Sequence, residues 1–207
     1  MSIDRGYLFA FEGIDGTGKS SCVKNIGNHL VSLGYPLVLL REPTNGVYGK
    51  KIREILTHGR EGISPEEELA LFINDRRQNV LQNISPALKE KKVVLIDRYY
   101  YSTAAYQGAL GLDPGKICQE NETFAPRPDR VFIFKAPIKL CLERIGKNRS
   151  GGPDEFEKSN YLTKVQKVFD KFSGEHFRRI DSSLPFEQVI SSLLAELNEF
   201  FPELEGN

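Results

Sequence analysis

Tyr7-Leu8-Phe9-Ala10-Phe11-Glu12-Gly13-Ile14-Asp15-Gly16-Thr17-Gly18-Lys19-Ser20 is a short apolar run that breaks into a glycine-rich turn ending in Lys-Ser. Residues 13–20 fit the phosphate-loop pattern G-x-x-x-x-G-K-[ST]. The flanks supply the context that this pattern requires. Tyr7–Phe11 reads as a buried strand, and Val23, Ile26, Leu30, Val31 and Leu33 recur at helical spacing until Gly34 stops the run. Glycines let such a loop curl so that its N–H groups point at a phosphate chain, with the helix N-terminus adding positive potential. Gly13, Ile14, Asp15, Gly16, Thr17, Gly18, Lys19, Ser20 and Ser21 are therefore the expected contacts of a nucleoside triphosphate. Lys19 is placed to reach the β- and γ-phosphates, and the Ser20 hydroxyl to ligate Mg²⁺. An accidental glycine turn would not combine motif and context at the first strand of a chain.

Outward from that loop, strand-like runs alternate with helical patterns. Leu37–Leu40, Val93–Ile96 and Val131–Phe134 are short, apolar and unalternating, as strands buried on both faces are. Phe177–Ile180 is a weaker fifth strand candidate, resting on the helix pattern that follows it from about Pro185 to Phe200. Ser64-Pro65-Glu66-Glu67 marks a helix start, with an N-cap, a first-turn proline and acids near the positive dipole end. Pro137 opens another helix at Ile138. Repeats, low-complexity tracts and dividing linkers are absent from the sequence. The pattern predicts one α/β domain over 1–207: a three-layer arrangement in which helices flank a parallel five-stranded sheet.

Composition narrows the function classes. The 207 residues hold 28 basic and 28 acidic side chains, for a formal net charge of zero. That balance points away from nucleic-acid and anionic-membrane partners. Three cysteines without C-x-x-C spacing exclude a disulfide framework and suit a reducing, cytoplasmic setting. The first five residues are too short and polar for a signal peptide, and no apolar run approaches the roughly 20 residues of a membrane span.

In open α/β sheets the chemistry gathers beyond the carboxyl ends of the strands. Here those ends are charged. Arg41-Glu42-Pro43 follows the second run and Asp97-Arg98-Tyr99 the third, while Asp15 lies in the loop. A P-loop protein that only hydrolyses a nucleotide needs one such acid. Two further arginines suit a second phosphate, because guanidinium forks match phosphate oxygens.

With these segments on the page, the chain resembles the thymidylate kinases of the P-loop nucleoside monophosphate kinase group over nearly its whole length. The resemblance rests on residues 11–20, Arg41-Glu42-Pro43, Phe72 with Arg76, Asp97-Arg98-Tyr99, residues 102–108 (Ser-Thr-Ala-Ala-Tyr-Gln-Gly), Arg127-Pro128-Asp129 and Ile180-Asp181-Ser182-Ser183. It implies transfer of the ATP γ-phosphoryl group to dTMP in a Mg²⁺-dependent homodimer. By the same resemblance, Asp15 acts across the donor and acceptor sites, and Arg41 and Arg98 bind the acceptor phosphate. Asp97 joins Ser20 at the metal through water. Phe72 stacks on thymine and Arg76 donates to a base oxygen, while Thr103 and Gln107 meet the base edge. Tyr106 crowds the sugar 2′ position. A basic, glycine-rich lid at about 144–157 closes over the nucleotides; Arg149, or failing it Arg144, supplies charge to the transferring group, since Gly16 and Thr17 leave the loop without an arginine.

Three positions depart from the family pattern. Glu155 stands where relatives carry a lid arginine, Thr44-Asn45 replaces a glycine pair, and Lys135 replaces an aspartate. The last two leave room for an altered acceptor or nucleotide pocket. The alternatives are a kinase of another pyrimidine or deoxynucleoside monophosphate, and a regulatory P-loop switch. The switch is disfavoured by Arg41, Phe72, Arg76 and Arg98 and by the lack of an N-K-x-D segment. A non-catalytic scaffold is disfavoured by intact Lys19, Ser20, Asp15, Asp97 and Arg98.

Overall fold

The computed structural model describes residues 3–146 and 155–205. Five strands, β1 (Tyr7–Glu12), β2 (Leu37–Arg41), β3 (Val93–Asp97), β4 (Arg130–Lys135) and β5 (Phe177–Asp181), form one sheet in the order β2-β3-β1-β4-β5. Every adjacent pair is parallel. The expected fold class is therefore the observed one, weak fifth strand included. Sequence order reverses at β1, whose chain leaves toward β2 and β3 on one side and later returns to β4 on the other.

Helices cover both faces. On one face α1 (Lys19–Ser32) and α9 (Phe186–Leu197) pack Ile26, Leu30, Leu193 and Leu197 against Phe9, Phe11, Phe132 and Phe134. On the other, side chains of α5 (Tyr100–Gly108) and α8 (Glu155–Phe169) close over Leu8, Ala10, Val94, Ile96, Val131 and Ile133. Alternate residues of β1 and β4 feed the two cores, as the strand period of two demands. The expectation of burial on both faces holds for β3, fully buried along its length, but not for β2. β2 is an edge strand, and Leu39 is 46% exposed because only one face is well covered there.

The remaining helices are α2 (Val47–His58), α3 (Pro65–Asn79), α4 (Ser85–Lys89), α6 (Pro114–Glu122) and α7 (Ile138–Gly146). A π-helical turn, Val80–Ile84, joins α3 to α4. Three of these go beyond the sequence expectation: α2, which starts on Gly46 with no side-chain cap, the short α4, and α6, whose Asp113 caps Gly115 and Lys116. The expected lid over 144–157 needs correction at both ends. Arg144, Ile145 and Gly146 belong to the last turn of α7, and helix α8 has already begun at Glu155. Residues 147–154, with Arg149, lie outside the described residues. No helix among the described residues is long and apolar enough to cross a membrane.

The start of α3 carries the expected Ser64 N-cap, and the cap proves reciprocal. Ser64 Oγ accepts from Glu67 N at 3.2 Å, and Ser64 N donates to Glu67 Oε2 at 2.8 Å. Those bonds hold the Glu67 carboxyl below its ordinary value. Its contribution is thus present above the unfolded-state pKa and is lost as pH falls through the folded one. Ser64→Ala is expected to cost about 1 kcal/mol of stability in urea denaturation at neutral pH, with the difference from wild type narrowing under acid conditions.

Candidate active site

The phosphate loop bridges β1 and α1, and its glycines are needed for space as much as for dihedral freedom. At Gly16 (φ 82°) a Cβ would meet the Cys141 carbonyl oxygen at 2.3 Å. At Gly13 (φ 131°) it would meet the Phe134 carbonyl oxygen at 2.5 Å. The loop is thus pressed against the ends of β4 and α7, and no side chain fits between. Ile14 is buried, and its carbonyl accepts from Thr17 Oγ1 at 2.9 Å and from Lys19 Nζ at 2.8 Å. Gly18, in the left-handed conformation, starts α1 without a side-chain cap. The first amides of α1 therefore stay open to an anion. Ser20 and Ser21 stand exposed on that first turn.

Lys19 is 5% exposed. Burial, aided by the nearby Arg98 charge, pushes its ammonium down to about 7, against the pull of Asp15, Asp97 and Glu12. An anion entering the loop opposes both causes and restores the full charge.

The parallel register brings the charged strand ends level. Phe11 and Arg41 both lie opposite Asp97 across their ladders. Asp97 Oδ2 accepts from Ser20 Oγ at 2.5 Å and stands 3.8 Å from Arg41 Nε. Its other oxygen, Oδ1, is buried and without a hydrogen-bond partner. Ser20 and Asp97, 77 residues apart in sequence, form one hydrogen-bonded unit. A serine hydroxyl beside a carboxylate with a spare oxygen suits Mg²⁺, which keeps waters and substrate phosphates as its remaining ligands. The described residues contain no group of three or more His, Cys, Asp or Glu able to cage a metal unaided.

Arg98, directly after β3, has φ 70°. A non-glycine residue in that region carries about 1–3 kcal/mol of strain, which its surroundings must hold in place. They do so on both sides: Arg98 N donates to Phe11 O at 3.0 Å, and Tyr99 N donates to Glu12 Oε1 at 2.9 Å. The guanidinium turns back to the phosphate loop. Arg98 Nη2 donates to Asp15 Oδ1 at 2.6 Å and to Tyr106 Oη at 3.3 Å. Tyr106 Oη in turn donates to Asp15 Oδ2 at 2.9 Å. Arg98, with Lys19 and Tyr106 adding to it, holds the Asp15 carboxyl down at about 2. Asp15, Lys19, Ser20, Asp97, Arg98 and Tyr106 thus form one cluster.

A second cluster adjoins it along α5. Arg76 is 1% exposed. Its Nε and Nη2 donate to Glu42 Oε2 at 2.8 and 2.5 Å, Nη2 also to Thr103 Oγ1 at 2.9 Å, and Nη1 to Asn121 Oδ1 at 2.7 Å. Asn79 Nδ2 donates to the other Glu42 oxygen at 3.0 Å. Gln107, one turn after Thr103, is 1% exposed with its Oε1 unpartnered. Phe72, one turn before Arg76 on α3, is half-buried, whereas its neighbour Ile73 is the residue that enters the interior.

Arg144 is anchored elsewhere, with Nη1 donating to Ser182 O at 2.9 Å in the loop after β5. Its charge still reaches the Cys22 and Cys141 thiols beside the phosphate loop. Two of the family departures have structural partners. Lys135 Nζ pairs with Asp170 at 2.8 Å, and Thr44 bonds Asp75 through both its amide (2.7 Å) and its hydroxyl (2.6 Å). Sequence reading missed Glu42 as the anchor of Arg76, Asn121 beside it, and the roles of Glu12 and Ser102. Glu42 lies in a quoted motif, but no local signal pairs it with a residue 34 positions away.

The chain is similar to known proteins over nearly its whole length. A sequence model of the family described as thymidylate kinase matches residues 11–193. A thymidylate kinase of Desulfotalea psychrophila is 41% identical over 199 residues, spanning 96% of this chain and 98% of that protein. One of Akkermansia muciniphila is 42% identical over 202 residues, spanning 98% and 96%. The crystal structure of a thymidylate kinase from Ehrlichia chaffeensis superposes with a TM-score of 0.75 at 26% identity, covering 93% of this chain and 99% of that one.

The buried pair of this site yields a stability prediction. Removing one partner of a buried ion pair leaves an uncompensated charge and costs about 3–5 kcal/mol. Glu42→Ala is expected to lose that much in chemical denaturation, because it leaves the 1%-exposed Arg76 guanidinium without its counter-charge.

Proposed function

The chain belongs to the thymidylate kinase family, and we propose that it transfers the γ-phosphoryl group of ATP to dTMP, giving ADP and dTDP. The observation that carries this reading is the Asp15–Arg98 contact of 2.6 Å. It ties a triphosphate loop to a second phosphate-binding group at a neighbouring strand end. A nucleotide switch has no use for the second group; a phosphoryl acceptor needs it.

Phosphoryl transfer asks the protein mainly for positioning and charge. The open amides of α1 and Lys19 hold the donor phosphates. Arg98 and the exposed Arg41 receive the acceptor phosphate, and Asp15 holds Arg98 against the donor loop. Ser20 and Asp97 would hold Mg²⁺, and the spare Asp97 oxygen supports that assignment; when bound, the ion neutralises charge on the phosphate oxygens. Arg76 supports a thymine reading. Its Nη1 donates one N–H to Asn121 and, among the described residues, keeps its second for a base oxygen, and the unpartnered Gln107 oxygen matches the ring N3–H. Phe72 offers its ring to the base and Tyr106 its ring to the sugar. Arg149 is proposed as the group that reaches the transferring phosphoryl, with Arg144 held at the Ser182 loop on the donor side.

A homodimer belongs to the same reading, supported by the exposed apolar Val47 and Leu56 on α2 and Leu81 in the π turn. A monomer mass in sedimentation equilibrium would remove it. Unpaired Cys22, Cys118 and Cys141 support a cytoplasmic setting.

A coupled ADP-release assay across nucleoside monophosphates tests the function. Highest kcat/KM with dTMP is expected; preference for dCMP or dGMP moves the chain to another acceptor. Lys19→Ala should abolish turnover in a protein that still folds. Arg149→Ala should lower kcat at least about a hundredfold with little change in either KM, because a group acting on the transition state alone leaves ground-state binding intact. Near-normal kcat in that variant would place the charge elsewhere.

A further inference from the structure

Glu12 closes β1 with a carboxylate that is 0% exposed and makes no salt bridge among the described residues. Burying a carboxylate without a cation in direct contact is costly. Burial raises its pKa to about 7, opposed by the Ser102 hydrogen bond, the Arg98 charge and backbone amides. Such a group is retained only where its bonds are needed. Both oxygens are committed, and both commitments end at Arg98. Oε1 accepts from Tyr99 N at 2.9 Å, the amide directly after the left-handed Arg98. Oε2 accepts from Ser102 Oγ, whose oxygen accepts from Arg98 Nη1 at 3.2 Å. One carboxylate thus holds the strained backbone of Arg98 from one side and orients its guanidinium from the other.

We propose that Glu12, acting through Ser102 and the Tyr99 amide, is a positioning residue that sets Arg98 in the geometry in which it receives the acceptor phosphate. The inference rests on the acceptor role given to Arg98 above, and extends it to residues that touch no substrate. Chemistry favours this over a purely structural role. A neutral amide or a well-packed apolar group would fill the end of β1 at less cost. In its ionised form the carboxylate strengthens the hydrogen bonds from Tyr99 N and Ser102, and it balances Arg98 through the serine. Groups that orient the ligands of a site commonly matter about 10–100-fold although they do not touch the ligand.

Titration calorimetry with dTMP and, separately, with a non-hydrolysable ATP analogue tests the proposal on wild type, Glu12→Gln, Ser102→Ala, Arg98→Ala and the Glu12→Gln/Arg98→Ala double variant. Glu12→Gln keeps the volume and one acceptor oxygen while removing the charge. It should weaken dTMP binding about tenfold and leave the ATP analogue within about twofold. Ser102→Ala should show a smaller loss of the same selectivity, and it carries the test should Glu12→Gln fail to fold. In the Arg98→Ala background Glu12→Gln should cost dTMP nothing further, since two residues acting through one group are not additive. Equal losses for both ligands, or additive losses in the double variant, would overturn the proposal. Wild type that does not bind dTMP would overturn the acceptor reading and this inference with it. Normal dTMP binding by both Glu12→Gln and Ser102→Ala would overturn this inference alone.

Discussion

The site depends on the register of three parallel strands. Because Phe11 and Arg41 both lie opposite Asp97, the chain ends of β1, β2 and β3 emerge level with one another. Three anchors of the site follow one residue beyond that line. Glu12 is one step beyond Phe11, Glu42 one beyond Arg41, and Arg98 one beyond Asp97. A slip of one residue would exchange the two faces of a strand and carry these charges into the cores. The register is in turn secured by the two apolar faces of β1 and β3, buried from Leu8 onward in the first and along the whole of the second. The hydrophobic pattern therefore positions the chemistry indirectly, by leaving the sheet no other way to pack.

What was legible in the sequence was local or familial. The phosphate loop, the Ser64 cap and the four strong strands each lie within a dozen residues and each is present, although β2 is an edge strand and lacks the expected burial on both faces. Phe72, Arg76, Thr103 and Gln107 were legible only through resemblance, since α3 and α5 meet through folding and no spacing in the chain records it. The pairing of Arg76 with Glu42, Thr103 and Asn121 spans separations of 34, 27 and 45 residues, beyond any periodic signal. The α2 start was illegible for a different reason: Gly46 caps with no side chain, so the usual polar marker is missing. Arg144 looked like loop because glycine and basic residues surround it, yet the amphipathic pattern of α7 carries on through Gly146.

The departures from the family pattern read differently once their partners are visible. A lysine in place of an aspartate at the end of β4 looks like an inverted charge in a pocket. Lys135 instead spans outward to Asp170 at the end of α8, where both side chains are about half exposed. Such an exposed pair contributes at most about 1 kcal/mol. Thr44 takes the place of a flexible glycine and compensates with two short bonds to Asp75, one from its amide and one from its hydroxyl. Gly49 then lies so close that a Cβ there would collide with the Thr44 carbonyl. The turn after β2 is thus fixed by packing and hydrogen bonds, where a glycine pair would leave it loose, and it delivers Glu42 to Arg76 all the same.

Charge in the site is nearly balanced by its own side chains. Asp15 faces Arg98, Asp97 faces Arg41, and Glu42 faces Arg76. Arg76 and Arg98 are consequently held in one orientation by an acid, whereas Arg41, 67% exposed and 3.8 Å from Asp97, is only drawn toward one. Preorganisation of this kind lowers the entropy lost on binding. Under the function proposed above, it also links the two nucleotide sites: Asp15 belongs to the donor loop and Arg98 to the proposed acceptor side, and their contact would rearrange or share donors when phosphate oxygens approach either of them. A guanidinium has five N–H groups, enough to keep Asp15 and Ser102 while accepting a phosphate. Asp15, ionised down to about pH 2, stays a fixed counter-charge throughout. Any free energy that one nucleotide spends or gains at this contact is felt at the other site, and linkage makes that influence equal in both directions.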